Sequence, residues 1–124
     1  MDWKRIYLNN NKIYELKNGN GKVKMYSYDG NLIFEGEYLN GEKHGYCKEY
    51  HKDKLIFKGE YLNGEKNGFC KEYNVQNELI FEGEYLKGKR WNGEGKEYNS
   101  AGNLIFEGEY LGGEWWSGKG RESR

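Results

Sequence analysis

Leu32-Ile33-Phe34-Glu35-Gly36-Glu37-Tyr38 decides the fold, because the same motif returns at residues 55–61, 79–85 and 104–110. Internal repetition outranks any other signal in a sequence. Within the stretch the alternation has period two, which puts Phe34, Gly36 and Tyr38 on one face and Glu35 and Glu37 on the other. That is the pattern of a half-buried strand. The equivalent stripe continues through Phe57, Gly59 and Tyr61, through Phe81, Gly83 and Tyr85, and through Phe106, Gly108 and Tyr110. A glycine on an apolar strand face ordinarily weakens the strand, so its recurrence asks for a packing reason. A neighbouring ring lying across the bare backbone would supply one.

A turn signal follows each copy. Asn40-Gly41 and Asn63-Gly64 provide the positive φ angles of a tight hairpin turn, and Asp29-Gly30 and Ala101-Gly102-Asn103 mark the return turns. A glycine then opens a second short segment: Gly45-Tyr46-Cys47-Lys48-Glu49-Tyr50, Gly68-Phe69-Cys70-Lys71-Glu72-Tyr73, Gly93-Glu94-Gly95-Lys96-Glu97-Tyr98 and a decayed copy at 118–123. A weaker unit precedes them, from Tyr14 through Met25 and Tyr26. Each unit therefore reads as a β-hairpin. Cys47 and Tyr50 are three apart and cannot share a face of a regular strand. Either a bulge between them feeds both into the stripe, the favoured arrangement, or Tyr50 faces away and joins Tyr46 in a second, more exposed row.

Composition agrees with a thin structure. Only 35% of the 124 residues are hydrophobic while 17% are aromatic, with 12 tyrosines, 19 glycines and no proline. Too few aliphatics are present for a thick two-layer core, yet the ring content is too high for disorder. Twenty basic and twenty acidic residues cancel, so no charge imbalance points to nucleic acid. The apolar runs are too short to span a bilayer and the start has no apolar signal core, which leaves the cytoplasm as the expected location.

The pattern Phe34-x-Gly36-x-Tyr38-x-Asn40-Gly41-x-x-x-Gly45 resembles the MORN repeat. Paired glycines survive at Gly93 with Gly95 and at Gly118 with Gly120, while Cys47, Cys70 and Val23 take the second position elsewhere. That is similar to the bacterial MORN variant. The resemblance implies one all-β domain over 1–124, an elongated single-layer antiparallel meander of stacked hairpins. Its parts are an N-terminal cap 1–13, a degenerate unit 14–31, repeats 32–54, 55–78 and 79–103, and a C-terminal capping unit 104–124. For function it implies a non-catalytic protein-binding module, a small inhibitor or neutraliser of antitoxin-like or phage anti-defence type. A peripheral membrane-lipid scaffold is the alternative, ranked lower because anionic lipid favours clustered basic residues. The expected partner is another protein, or a second copy paired through open edge strands. No nucleic acid and no cofactor are expected.

Individual residues point the same way. Cys47 and Cys70 hold equivalent places about 10 Å apart, beyond disulfide reach, and are expected to be reduced and buried. His44, expected in a turn, His51 at a strand end, and Cys47 are too few ligands for a metal. The serines have no activating base in any recognisable motif. Glu35, Glu37, Glu60 and Glu84 recur with the unit, as do Lys48 and Lys71, which is how a solvated face of charge pairs looks. Trp91, Trp115 and Trp116 break the repeat. They either seal the end of the stack with Trp3 at the other end, the favoured reading, or line one rim as a binding edge together with Tyr46 and Phe69.

Overall fold

The computed structural model describes residues 3–7 and 19–117. The decayed segment at 118–123, Tyr14 and most of the proposed N-terminal cap lie outside these residues. Ten strands form one sheet in sequence order: β1 (Lys4–Tyr7), β2 (Gly21–Tyr26), β3 (Leu32–Leu39), β4 (Glu42–His51), β5 (Lys54–Leu62), β6 (Glu65–Tyr73), β7 (Leu79–Leu86), β8 (Lys89–Tyr98), β9 (Leu104–Leu111) and β10 (Glu114–Ser117). The architecture is the expected single-layer all-β meander of hairpins. It departs from the antiparallel order only at its N-terminal edge, where β1 runs parallel to β2.

The hairpin turns follow from local chemistry. Asn40 and Gly41 adopt φ of 53° and 82°, and Asn63 and Gly64 repeat them at 52° and 82°. Both central residues of such a turn need the left-handed region, which Asn and Gly tolerate best.

All of the buried side chains lie on one face. Phe34, Phe57, Phe81 and Phe106 join Tyr38, Tyr61, Tyr110, Val23, Cys47, Cys70 and Ile6 in one cluster, and among the described residues no polar or charged residue is buried. We call this the ring face and its reverse the outer face. Ile6 closes the ring face at the N-terminal end. Trp3 instead sits on the other side, beside the ammonium groups of Lys22 and Lys24 at 5.6 and 5.3 Å, so it does not cap the stripe.

The second strand of each hairpin differs from the favoured expectation. Glu35 pairs with Lys48 and Glu37 with His44, so Gly45, Tyr46 and Cys47 together oppose Gly36. The bulge therefore precedes Cys47, and Gly45 accommodates it with a φ of 74°. From Cys47 onward β4 alternates regularly. Cys47 and Glu49 face the rings while Lys48 and Tyr50 face away, and the Tyr50 hydroxyl donates to Glu35 on the outer face at 2.7 Å. The same bulge carries His44 into β4 opposite Glu37 rather than leaving it in a turn.

The expected ring over the stripe glycine is present at Gly36, while Gly59 and Gly83 are filled from the strand across the ladder. A Cβ on Gly36 would lie 2.6 Å from Cys47 Sγ and 2.9 Å from Phe34 Cζ, and one on Gly59 would lie 2.7 Å from the Phe69 carbonyl oxygen. At Gly36 the Phe34 ring and Cys47 share the space, whereas at Gly59 the residues across the ladder fill it. Rings also cover bare backbone at Gly95, whose Cβ would meet Phe81 at 2.9 Å and Tyr110 at 3.1 Å. Gly95 stands where other units have cysteine, so cysteine and nested rings are alternative fillers of one gap. Cys47 and Cys70 are free and buried, as expected.

Candidate interaction surface

A single-layer sheet has no second layer to cover its rings, and charged side chains take that place here. Lys43 pairs with Tyr38, Lys66 with Tyr61 and Arg90 with Tyr85, each on the strand after the turn. Their cationic groups lie 4.6 Å from the ring centre of Phe34, 4.2 Å from Phe57 and 4.7 Å from Phe81. Each also reaches the tyrosine of the following unit, Tyr61, Tyr85 or Tyr110. Carboxylates lock the cations down: Lys43 and Lys66 approach Glu49 at 3.3 and 3.7 Å, Lys66 reaches Glu72 at 3.7 Å, and Arg90 contacts Glu72 at 2.8 Å and Glu97 at 2.9 Å. Tyr61 donates to Glu49 at 2.6 Å, Tyr85 to Glu72 at 2.9 Å, and Tyr110 to Glu97. The long side chains thus cover apolar surface with their stems and satisfy their charges among themselves.

Burial shapes the acid–base properties of this layer. It holds Tyr61, Tyr85 and Tyr110 above the ordinary tyrosine value, reinforced by the carboxylates they donate to. Burial also raises the Cys47 thiol and pushes that of Cys70 up to about 12, so neither is a thiolate nucleophile near neutrality. For Arg90 burial opposes the charge, but Glu72 and Tyr110 outweigh it and hold the guanidinium protonated.

The outer face offers contact area. Tyr46 and Phe69 are 58% and 69% exposed, although both lie within strands. They flank Glu60 from β4 and β6 and border a depression of about 210 Å³ with Lys58, Lys71 and Glu82. A larger concavity of about 530 Å³ on this face is lined by Glu82, Glu94, Glu107 and Glu109 with Lys96. Among the described residues no three His, Cys, Asp or Glu side chains converge as metal ligands.

The three C-terminal tryptophans do not make one row. Trp115 pairs with Tyr110 at the register place that Lys43, Lys66 and Arg90 hold elsewhere, and it stacks on Phe106 at 4.7 Å with the planes 13° apart. A ring thus replaces the cation in the last unit and seals the ring face. Trp116 alternates to the outer face opposite Glu109. Trp91 sits at the turn edge, where Gly113 N donates to its carbonyl at 2.9 Å and a Cβ on Gly113 would lie 3.0 Å from its indole.

Sequence reasoning passed over Lys43, Lys66 and Arg90. Their signal was a basic residue two places after each turn glycine, Gly41, Gly64 and Gly88. No helix among the described residues is long and apolar enough to cross a membrane. Comparison with known protein families, curated proteins and solved structures returns no match for this chain.

Proposed function

We propose that this chain is a non-catalytic protein-binding module of MORN-variant type, a small inhibitor or neutraliser that works by occupying a partner protein with its outer face. The observation that carries the reading is the exposure of Tyr46 and Phe69 on either side of β5 on one sheet face. Aromatic rings on a preordered surface are the usual anchors of protein interfaces, since they bury much area for little lost freedom. Burial raises both thiols, which disfavours thiolate chemistry near neutrality and supports the binding reading.

The lipid alternative is weaker. Three lysines adjoin on the outer face, each worth about 1 kcal/mol beside anionic lipid. Three glutamates continue the same row and would meet that membrane with like charge. Flotation with anionic vesicles is expected to leave the chain in the unbound fraction.

The direct test is affinity capture from the native host, followed by titration of the captured protein in recombinant form. Tyr46→Ala with Phe69→Ala is expected to abolish binding while the melting temperature stays near that of the wild type. Saturable binding that ignores this double substitution would reject the surface. Capture of no stoichiometric partner would reject the function.

A further inference from the structure

One departure from the repeat remains unexplained by it: the second copy of the motif reads Leu55-Ile56-Phe57-Lys58-Gly59-Glu60-Tyr61, with lysine where the other three copies have glutamate. The register shows what this does. Lys48 pairs with Lys58, Lys58 with Lys71, Lys71 with Glu82, Glu82 with Glu94, and Glu94 with Glu109. The outer-face row that starts with Lys24 and Glu35 and ends with Trp116 therefore carries, over the six strands β4 to β9, three lysines followed by three glutamates. Like charges directly opposite each other on a sheet destabilise it. Within these six positions only Lys71 and Glu82, at the junction of the two blocks, form an ion pair, at 3.8 Å. Lys48, Lys58, Glu94 and Glu109 have no ion-pair partner among the described residues.

We infer that the outer face closes on a second copy of this chain. A twofold axis running along the strands, between β6 and β7, turns the row onto itself in reverse. Lys71 then faces Glu82 of the other copy, Lys58 faces Glu94, and Lys48 faces Glu109, with six interchain pairs in all because each contact occurs twice. A surface built from two unlike blocks in mirror order is self-complementary, which is the requirement of an isologous interface. Packed sheets lie about 10 Å apart, a gap that an opposed lysine and glutamate span together. Phe69, on β6 next to the axis, adds exposed apolar area at the centre of the contact. The zero net charge leaves no long-range repulsion between copies. The inference takes from the proposed function only that the outer face is a contact surface, and a second copy competes with the partner protein for it because both cover Phe69.

Sedimentation equilibrium of the full chain tests it, with charge reversals at the two outer-block centres. The wild type is expected to dimerise at low ionic strength and to weaken as salt is added. Lys58→Glu or Glu94→Lys alone is expected to raise the dissociation constant at least about tenfold, since each places like charges across the interface twice. Each single reversal also relieves repulsion within its own sheet, so its melting temperature is expected to hold or rise, which separates lost contact from lost folding. Mixing the two single variants is expected to restore association as a heterodimer, because the carboxylate introduced at position 58 of one copy then meets the ammonium introduced at position 94 of the other. A wild type that stays monomeric at its solubility limit in low salt overturns the inference, as do single variants that dimerise like the wild type, or a mixture that stays monomeric. A self-associating chain that captures no partner rejects the partner reading alone, and a monomer that captures one rejects the dimer alone.

Discussion

At the level of single residues, the bare backbone at the stripe glycines and the hydroxyls of the stripe tyrosines make separable demands. Gly59→Ala would drive a methyl against the Phe69 carbonyl oxygen and Cys70 Cα, 2.7 and 2.8 Å away. Neither atom can move without the strand, so a loss of about 2–3 kcal/mol is expected in denaturant titration. Gly36→Ala meets side-chain atoms of Cys47 and Phe34 first. Adding Cys47→Gly is therefore expected to recover part of its loss, whereas no neighbouring side-chain trimming should rescue Gly59→Ala. The tyrosines predict a pH response. Tyr61, Tyr85 and the two thiols have folded values raised above ordinary ones of 10.0 and 9.0. The unfolded chain therefore releases protons first as pH rises, so stability is fully present below about pH 9 and declines above it. Melting temperature recorded from pH 7 upward should be flat and then fall, with a shallower fall in Tyr61→Phe. At neutral pH that variant should itself be weaker by about 1.5–3 kcal/mol, the worth of a hydrogen bond to a carboxylate.

The stripe of each first strand was legible in the sequence, but not the register shift at Ile33, Ile56, Ile80 and Ile105, and the second strand was legible only in part. Phe34, Gly36 and Tyr38 alternate without interruption, so their face can be read off a seven-residue window. In β4 the alternation breaks between Gly45 and Cys47, and where the extra residues go depends on how Cys47 fits over Gly36 from the opposite strand. No window along one strand contains that information. The covering layer was hidden for a related reason: Lys43, Lys66 and Arg90 follow a turn and look solvated, and only the assembled sheet brings each over a phenylalanine of its own hairpin. Lys66→Met should therefore cost about 2 kcal/mol, because it uncouples Glu49 from Glu72 as well as losing the ring contact. Lys66→Arg, copying the arrangement at Arg90, should stay within about 0.5 kcal/mol of the wild type. Trp115→Ala should cost about 3 kcal/mol, since its ring is the cover of Phe106.

Across the molecule, contacts join each unit to its neighbours, so damage should stay local in the manner of repeat proteins. Amide exchange in Trp115→Ala is expected to quicken in β9 and β10 while β4 to β6 keep their protection; uniform loss of protection would show instead that the sheet melts as one body. The ring contacts between units also have a direction. Phe57 meets Tyr85 at 6.2 Å and Phe81 meets Tyr110 at 5.5 Å, in each case the tyrosine of the unit that comes later in the chain. During synthesis on the ribosome, which releases the N-terminal units first, Phe57 and Phe81 therefore wait for the next hairpin before their cover is complete. Growth of the sheet leaves one sticky ring at its advancing end, and for Phe106 the covering ring is Trp115 of its own hairpin.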